Sequence, residues 1–354
     1  MKTNLLDYLV CPSCKALLHC EVYEEDKSLP WPEIMSGCLT CSSCGGQFPI
    51  RGAIPRMLIG ELTAPVQATV AGFGWEWLTF DSQIQDTYMT GKNNFLDFIY
   101  PLTEADFSGK LVLDAGCGMG RFLKLGAEFG SREIIGIDLS DSVDAAYRNT
   151  RFLPNAHVVQ ADIYALPFVS QFDYIFSVGV LHHLHDPQQG FSCLAQLLRK
   201  GGQLSVWVYG EENNGWVIRF LSPLRLHLTS RLPRPVLHGI SHVLGVVLYT
   251  CIKLIYQPAN ERGVNWRSKL PYNDYLYYSA RLSYKSLVSV IFDHLVPQLS
   301  TYISRDAFAN WFQAENLVDV VITPRNNMSW RGLGVRLARP ALASSSMMQS
   351  ERDG

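Results

Sequence analysis

The residues best placed to do chemistry are three glycines and three aspartates. Gly116, Gly118 and Gly120 fall within VLDAGCGMGRF, Val112 to Phe122, at the end of an apolar run, with Asp114 just before them. Glycines at such a turn let the backbone bend sharply and approach a ligand without Cβ interference. A helix starting there directs its free amide groups and positive dipole end at the same place. The dinucleotide fingerprint GxGxxG needs glycine at position 121, where this chain has Arg121. Asp114 opposes a pyrophosphate and suits a ligand bearing an ammonium group. Asp138 ends the next apolar run, IIGIDLS, where an acidic group can accept two ribose hydroxyls. Asp162 follows the third run in QADIYALPF and can accept an exocyclic amine, while Ile163 packs on the attached ring. One ligand with an amine, a sugar and a base therefore meets three strand tips in succession.

This set resembles the first motifs of class I S-adenosylmethionine-dependent methyltransferases, over Leu111 to Tyr209 and again at the final strand pair. The resemblance implies a seven-stranded sheet whose last strand is antiparallel, and S-adenosylmethionine bound by Asp114, Gly116, Gly118, Gly120, Asp138, Asp162 and Ile163. A methyl acceptor must lie in line with the sulfonium and often has to lose a proton. Candidates for that work are His182 and His183 in SVGVLHHLHDP, and Asp293 and His294 in FDHLVPQLSTYIS, with Tyr302 nearby. The histidines can equally order their loop, and the second group can simply end a helix. Trp75, Trp77 and Tyr88 can roof the cofactor or merely pack.

Nine cysteines occur, six of them in the first 44 residues, in the pairs Cys11/Cys14 (CPSC) and Cys41/Cys44 (CSSC) with Cys20 and Cys38 between. Two CxxC knuckles are the pattern of a tetrahedral zinc site. By spacing alone Cys38/Cys41 competes for the second knuckle. LVCPSCKALL and LTCSSCGGQFPIRGAIPRM resemble the small zinc-ribbon protein that activates several tRNA and protein methyltransferases, departing from it at Ala53. The resemblance implies structural Zn2+ on Cys11, Cys14, Cys41 and Cys44. Four thiolates leave no open coordination position for a substrate.

The elements that must position these groups follow from apolar rhythm. KLVLDAGC, EIIGIDLS, AHVVQADI, FDYIFSVGV and GGQLSVWVY are short apolar runs, the first of them separated by helix-length segments, and LVDVVITPR and GLGVRLAR are close enough for an antiparallel pair at the sheet edge. Continuous apolar strands separated by helices indicate a parallel sheet covered on both faces. The predicted class is α/β: a seven-stranded, doubly wound, Rossmann-like sheet with an N-terminal zinc ribbon and a helical insert after the fifth strand. The expected segments are a ribbon over 1–62, an aromatic helical connection over 63–109, the cofactor core over 110–210, a cap insert over 211–304, a final helix and strand pair over 305–339, and a disordered tail over 340–354.

Composition bounds the partners. Hydrophobic residues at 47% exclude intrinsic disorder, and a net charge of -2 lacks the basic excess usual in proteins that hold nucleic acid by bulk electrostatics. Residues 213–269 depart from this average, with eight Lys and Arg against Glu261 alone. Val236 to Ile252 carries no formal charge but is short and polar for a membrane span. A basic amphipathic cap is expected, able to meet a membrane surface or a lipid-linked substrate. No apolar run resembling a signal peptide precedes the first cysteines, so a reduced, cytoplasmic setting is expected, at most peripheral to the inner membrane face. The main expectation is O-methylation of a small or medium biosynthetic molecule, with nucleic acid disfavoured as a partner. The alternative is an rRNA or tRNA base methyltransferase whose insert grips phosphates. A third reading is a noncatalytic scaffold that keeps the cofactor pocket.

Overall fold

The computed structural model describes residues 1–28, 30–79, 91–169 and 171–337. Tyr88 and the tail over 340–354 lie outside the described residues. The ribbon is a four-stranded antiparallel sheet, β1 (Leu18–Asp26), β2 (Glu33–Cys41), β3 (Gln47–Arg51) and β4 (Ile54–Pro55), in chain order. Helices α1 (Ala64–Thr79) and α2 (Lys92–Phe98) lead to the second sheet.

That sheet contains β5 (Leu111–Ala115), β6 (Glu133–Asp138), β7 (Ala156–Gln160), β8 (Phe172–Val178), β9 (Leu198–Tyr209), β10 (Leu317–Arg325) and β11 (Ser329–Arg336). Helices α3 (Arg121–Glu128), α4 (Ser142–Thr150) and α5 (Pro187–Gln196) connect β5 to β6, β6 to β7 and β8 to β9, and a short 3-10 turn, Ile163–Ala165, lies between β7 and β8. The spatial order is β10-β11-β9-β8-β5-β6-β7, with β5 to β9 parallel and β11 antiparallel to both neighbours. Every residue of β5 and β7 is buried, as expected of parallel strands covered on both faces. The order reverses at β5, so the crevice beyond the carboxyl ends of β5 and β6 is where such a sheet receives ligands. The last strand does not take the edge: β11 inserts between β9 and β10. Its hairpin turns through Asn326 and Asn327 at φ 50° and 54°, left-handed values that asparagine tolerates better than most residues.

The ribbon is joined to the β7 edge of the large sheet. Arg56 forms a parallel bridge with Gln160, and the Met57 amide donates to the Gln160 carbonyl at 2.8 Å. Lys2, almost fully buried, donates through Nζ to the Ala156 carbonyl at 2.6 Å, and Tyr147 Oη donates to Glu33 at 2.7 Å. Leu5, Leu39 and Ile50 of the ribbon share one hydrophobic core with Leu113, Ile135 and Val159 of the sheet.

Beyond β9 the insert comprises α6 (Ser222–His227), α7 (Arg234–Cys251), α8 (Gln257–Glu261), α9 (Asn273–Ser279) and α10 (Tyr284–Leu295). Helix α11 (Arg305–Ala314) then returns to the sheet. The two ends of the insert meet, because the Ile303 amide donates to the Tyr209 carbonyl at 3.0 Å and the Glu211 amide to the Ile303 carbonyl at 3.1 Å. With its ends pinned, a long insertion adds little further loop-closure entropy. The uncharged stretch near Val236 is part of a longer helix than its sequence suggests. A π turn, Ile252–Tyr256, joins α7 to α8, and Arg234–Glu261 is the one helix among the described residues long and apolar enough to cross a membrane. One face of it packs on α10 around Leu237, Val288 and Phe292.

Arg56 is a test of the junction between the modules. It donates to Asp144 at 2.5 Å and to Gln160 at 3.1 Å, and is mostly buried. Arg56→Ala is expected to cost about 1–2 kcal/mol, read as a lower urea midpoint of the whole chain.

Candidate cofactor and acceptor site

A cavity of about 1070 Å³ runs from the β5 and β6 tips to the underside of the insert. Gly116, Gly118, Asp138, Asp162, Ile163, His183, Asp293 and His294 line it. Asp114, Gly120 and His182 are not among its lining residues. The glycine loop therefore supplies a wall, but its glycines serve different ends. A Cβ on Gly116, at φ 87°, would lie 2.2 Å from Val180 Cγ2, and one on Gly120, at φ 81°, would lie 3.0 Å from Ala146 Cα. Both are required by the protein's own packing as well as by the left-handed turn. Gly118 faces the cavity beneath Trp77.

Asp138 ties the crevice together. Its carboxylate accepts the Gly118 amide at 2.9 Å on one oxygen, and the Ser140 amide at 2.8 Å and hydroxyl at 2.7 Å on the other. Each carboxylate oxygen has two lone pairs, so the group can still receive a ligand hydroxyl. Asp162 caps its own turn by accepting the Tyr164 amide at 2.9 Å and borders the cavity as well. The turn-forming and ligand-facing roles foreseen as alternatives are thus compatible in both residues. Asp114 sits behind the loop, where burial and then the nearby Asp138 charge raise its pKa well above the carboxylate range. Its Oδ2 is buried without a protein hydrogen bond. An unpaired buried carboxyl oxygen beside a glycine loop suits a cationic ligand, so the residues present fit S-adenosylmethionine.

The far wall is polar. Asp293 and His294 occupy the last turn of α10, the helix end that the sequence allowed for them. Tyr209 Oη donates to Asp293 Oδ2 at 3.4 Å, and Tyr275 Oη pairs with His294 Nε2 at 3.2 Å. Burial raises the Asp293 pKa to about 6, against the opposing effects of the Tyr209 hydrogen bond, Arg121 and Arg225. Burial lowers His183 to about 3 and His294 to about 4, and pushes His182 well below its usual range. His182 stacks on Tyr209 at 3.9 Å, and His183 Nδ1 pairs with the Leu299 carbonyl at 2.9 Å. Both are neutral rings in ordered, packed positions.

Sequence reasoning missed Glu76, Arg121 and Tyr209. Arg121 opens α3, lies over the Trp77 ring at 5.4 Å, and lies within electrostatic reach of Asp293 and Glu76. Burial, then Asp293, holds Glu76 well above the carboxylate range, and the Ser289 hydroxyl donates to it at 3.0 Å. The missed signal was a charged residue, Glu76, inside the otherwise apolar helix FGWEWL. Trp77 borders the cavity, whereas Trp75 packs on Phe292 at 5.1 Å and His238 at 5.7 Å.

On the ribbon, Cys11, Cys14, Cys41 and Cys44 bring their sulfurs within 4.8 Å of one another. Cys11–Cys44 is 3.6 Å and Cys14–Cys41 is 3.4 Å. Sulfurs on a tetrahedral zinc with bonds of ~2.3 Å stand ~3.8 Å apart, so the set fits the ion. The Ser43 and Cys44 amides donate to Cys41 Sγ, settling the second knuckle on Cys41/Cys44. Cys38 instead contacts Leu39 and Thr40.

Sheet order, glycine loop and acidic strand tips together define a class I methyltransferase domain of the S-adenosylmethionine-dependent kind, preceded by a zinc-ribbon module. Residues 113–206 match the family model described as methyltransferase domain, and residues 2–52 match that of Trm112p-like proteins. Among curated relatives, the tRNA U34 carboxymethyltransferase of Idiomarina loihiensis is 35% identical over 116 residues, 30% of this chain and 36% of the relative. That of Pseudoalteromonas translucida is 36% identical over 111 residues, 30% of this chain and 34% of the relative. The chain thus spans about a third of the length of these relatives. Human N-acetylserotonin methyltransferase, solved with S-adenosylmethionine, has a TM-score of 0.45 at 13% identity, covering 79% of this chain and 61% of its own, too low to bear on function.

The relatives' names correct two expectations. A small-molecule acceptor was expected and nucleic acid disfavoured, the latter partly on overall charge, yet the curated relatives are named for tRNA. Net charge averages over the whole chain and reports nonspecific adhesion, whereas a base read inside a chamber needs no overall basic excess.

Two measurements bear on these sites. Cys14→Ser is expected to lose most of about one zinc per chain by elemental analysis and to lower the thermal midpoint. Asp138→Ala is expected to weaken S-adenosylmethionine binding at least tenfold in calorimetry, removing both the ligand contact and the support of the Gly118 loop.

Proposed function

We propose that this chain is a cytoplasmic S-adenosylmethionine-dependent transferase that modifies a tRNA nucleoside. The observation that carries the reading is the 35% and 36% identity, over 116 and 111 residues, to proteins named as tRNA U34 carboxymethyltransferases. A Trm112p-like module at the N-terminus accords with it. The cavity volume, about 1070 Å³, exceeds what one small ligand needs and leaves room for a nucleobase beside the donor. Enzymes that modify a base take it out of the stack into such a chamber.

The bound donor supplies an electrophilic carbon on a sulfonium. Asp138 and Asp162 would hold its sugar and base ends and Ile163 would pack beside the ring, while Asp114, buried behind the loop, would ionise only with a positive charge nearby. Trp77 closes the chamber above Gly118. Asp293 accepts the acceptor's proton: its pKa of about 6 leaves it ionised at neutral pH, with the Tyr209 hydroxyl steadying one oxygen. His182, stacked on Tyr209, orients that ring, and neutral His183 and His294 shape the wall without adding charge.

Incubation of the purified chain with labelled S-adenosylmethionine and bulk tRNA is expected to label tRNA, and the mass of the modified nucleoside will identify the group transferred. Because Asp293 acts ionised, kcat/KM is expected to rise as pH passes upward through about 6. Asp293→Asn should lower kcat by ~10²–10⁴-fold and abolish that limb. A chain that binds the donor but labels no RNA of any class would overturn the reading.

A further inference from the structure

The cavity accounts for only part of the exposed apolar surface of the insert. Among the exposed residues of α7 are Val236, Val243 and Val247, at 50%, 68% and 61%, of which Val247 also lines the cavity and the other two do not. At 100° per residue their directions fall within a stripe ~40° wide. Leu254, 72% exposed, continues it beyond the π turn. The stripe runs ~27 Å along the helix. Phe220, more than half exposed, adds aromatic surface before α6, next to Trp216, which is exposed but also lines the cavity. An apolar surface of this extent marks an interaction site.

Charge identifies the occupant. Arg231 is exposed at the N-terminal end of the stripe, and Arg262, Arg267 and Lys269 are exposed at the other. Glu261 is the one acidic residue from 213 to 269. An apolar centre with cationic ends complements a bilayer carrying anionic headgroups, with the long basic side chains reaching back to the phosphates. RNA needs its cations along the phosphate track and stacking or hydrogen-bonding groups between them, and valines offer neither.

The helix is long enough to span, yet its opposite face is committed. Leu237, Ser241 and Ile252 are buried, and Lys253 Nζ donates to the Ala280 carbonyl at 2.7 Å. We infer that α7 lies flat on an anionic lipid surface, docking the chain to the membrane through the Val236–Leu254 stripe and its basic ends. This inference is independent of the acceptor assigned above.

The test is flotation of the full chain with vesicles of phosphatidylglycerol and phosphatidylcholine, beside vesicles of phosphatidylcholine alone. Binding is expected to be about tenfold tighter on the anionic vesicles and to weaken with salt. Val236→Asp with Val243→Asp should reduce it at least tenfold, and Arg267→Gln with Lys269→Gln should erase most of the anionic preference. Neither valine lines the cavity, so calorimetric binding of S-adenosylmethionine should be unchanged in the valine pair and reports that the fold is intact. Equal flotation of wild type and the valine pair would overturn the inference. So would a dimer that the valine pair dissolves without any vesicle capture, or tRNA binding that the valine pair abolishes while vesicle binding persists.

Discussion

The Asp138 carboxylate is the constraint from which the site is built. It ends β6 yet receives the amide of Gly118 from the loop after β5, so one side chain joins two strand tips at the reversal of sheet order. A free carboxylate there would leave the glycine loop without its partner and the crevice without a floor. Its second oxygen, held by Ser140, keeps the group from turning away. Local backbone support and ligand recognition are therefore carried by the same atoms.

Around that junction the molecule distributes charge unevenly. Asp114, Glu76 and Asp293 are carboxyls held above their ordinary pKa by burial, with Arg121 and the buried Arg225 as cations within reach of Asp293. Burying three acids near two arginines is costly unless a cationic ligand shares the site. The histidines follow the opposite rule: burial keeps them neutral, so they add shape and not charge. The ribbon stands apart from this chemistry. Its four thiolates complete a closed set at the β7 edge, and its hydrophobic residues extend the core of the sheet.

Much of the sheet was legible because a strand buried on both faces must be apolar throughout, and the glycine loop because left-handed turns beside packed neighbours admit little else. Asp138 and Asp162 were legible for the same reason: they end strands. The acceptor wall was not. Tyr209 ends a strand like any other, and Glu76 reads as a surface charge until Ser289, more than two hundred residues later, closes over it. Whole-chain charge, one ground for disfavouring nucleic acid, carries no information about what an enclosed chamber admits.

By itself the sequence determined the elements and the local devices: strand runs, the glycine turn with its acidic partners, and the zinc knuckles. All of these depend on near neighbours, through apolar periodicity, backbone conformation and ligand spacing. Only the tertiary structure decided that β11 lies inside the sheet, that the ribbon joins the β7 edge, and that α10 brings Asp293 to Tyr209. It also decided which face of α7 stays exposed. Those outcomes depend on contacts between distant segments, and the energy of such a contact exists only once both surfaces have met.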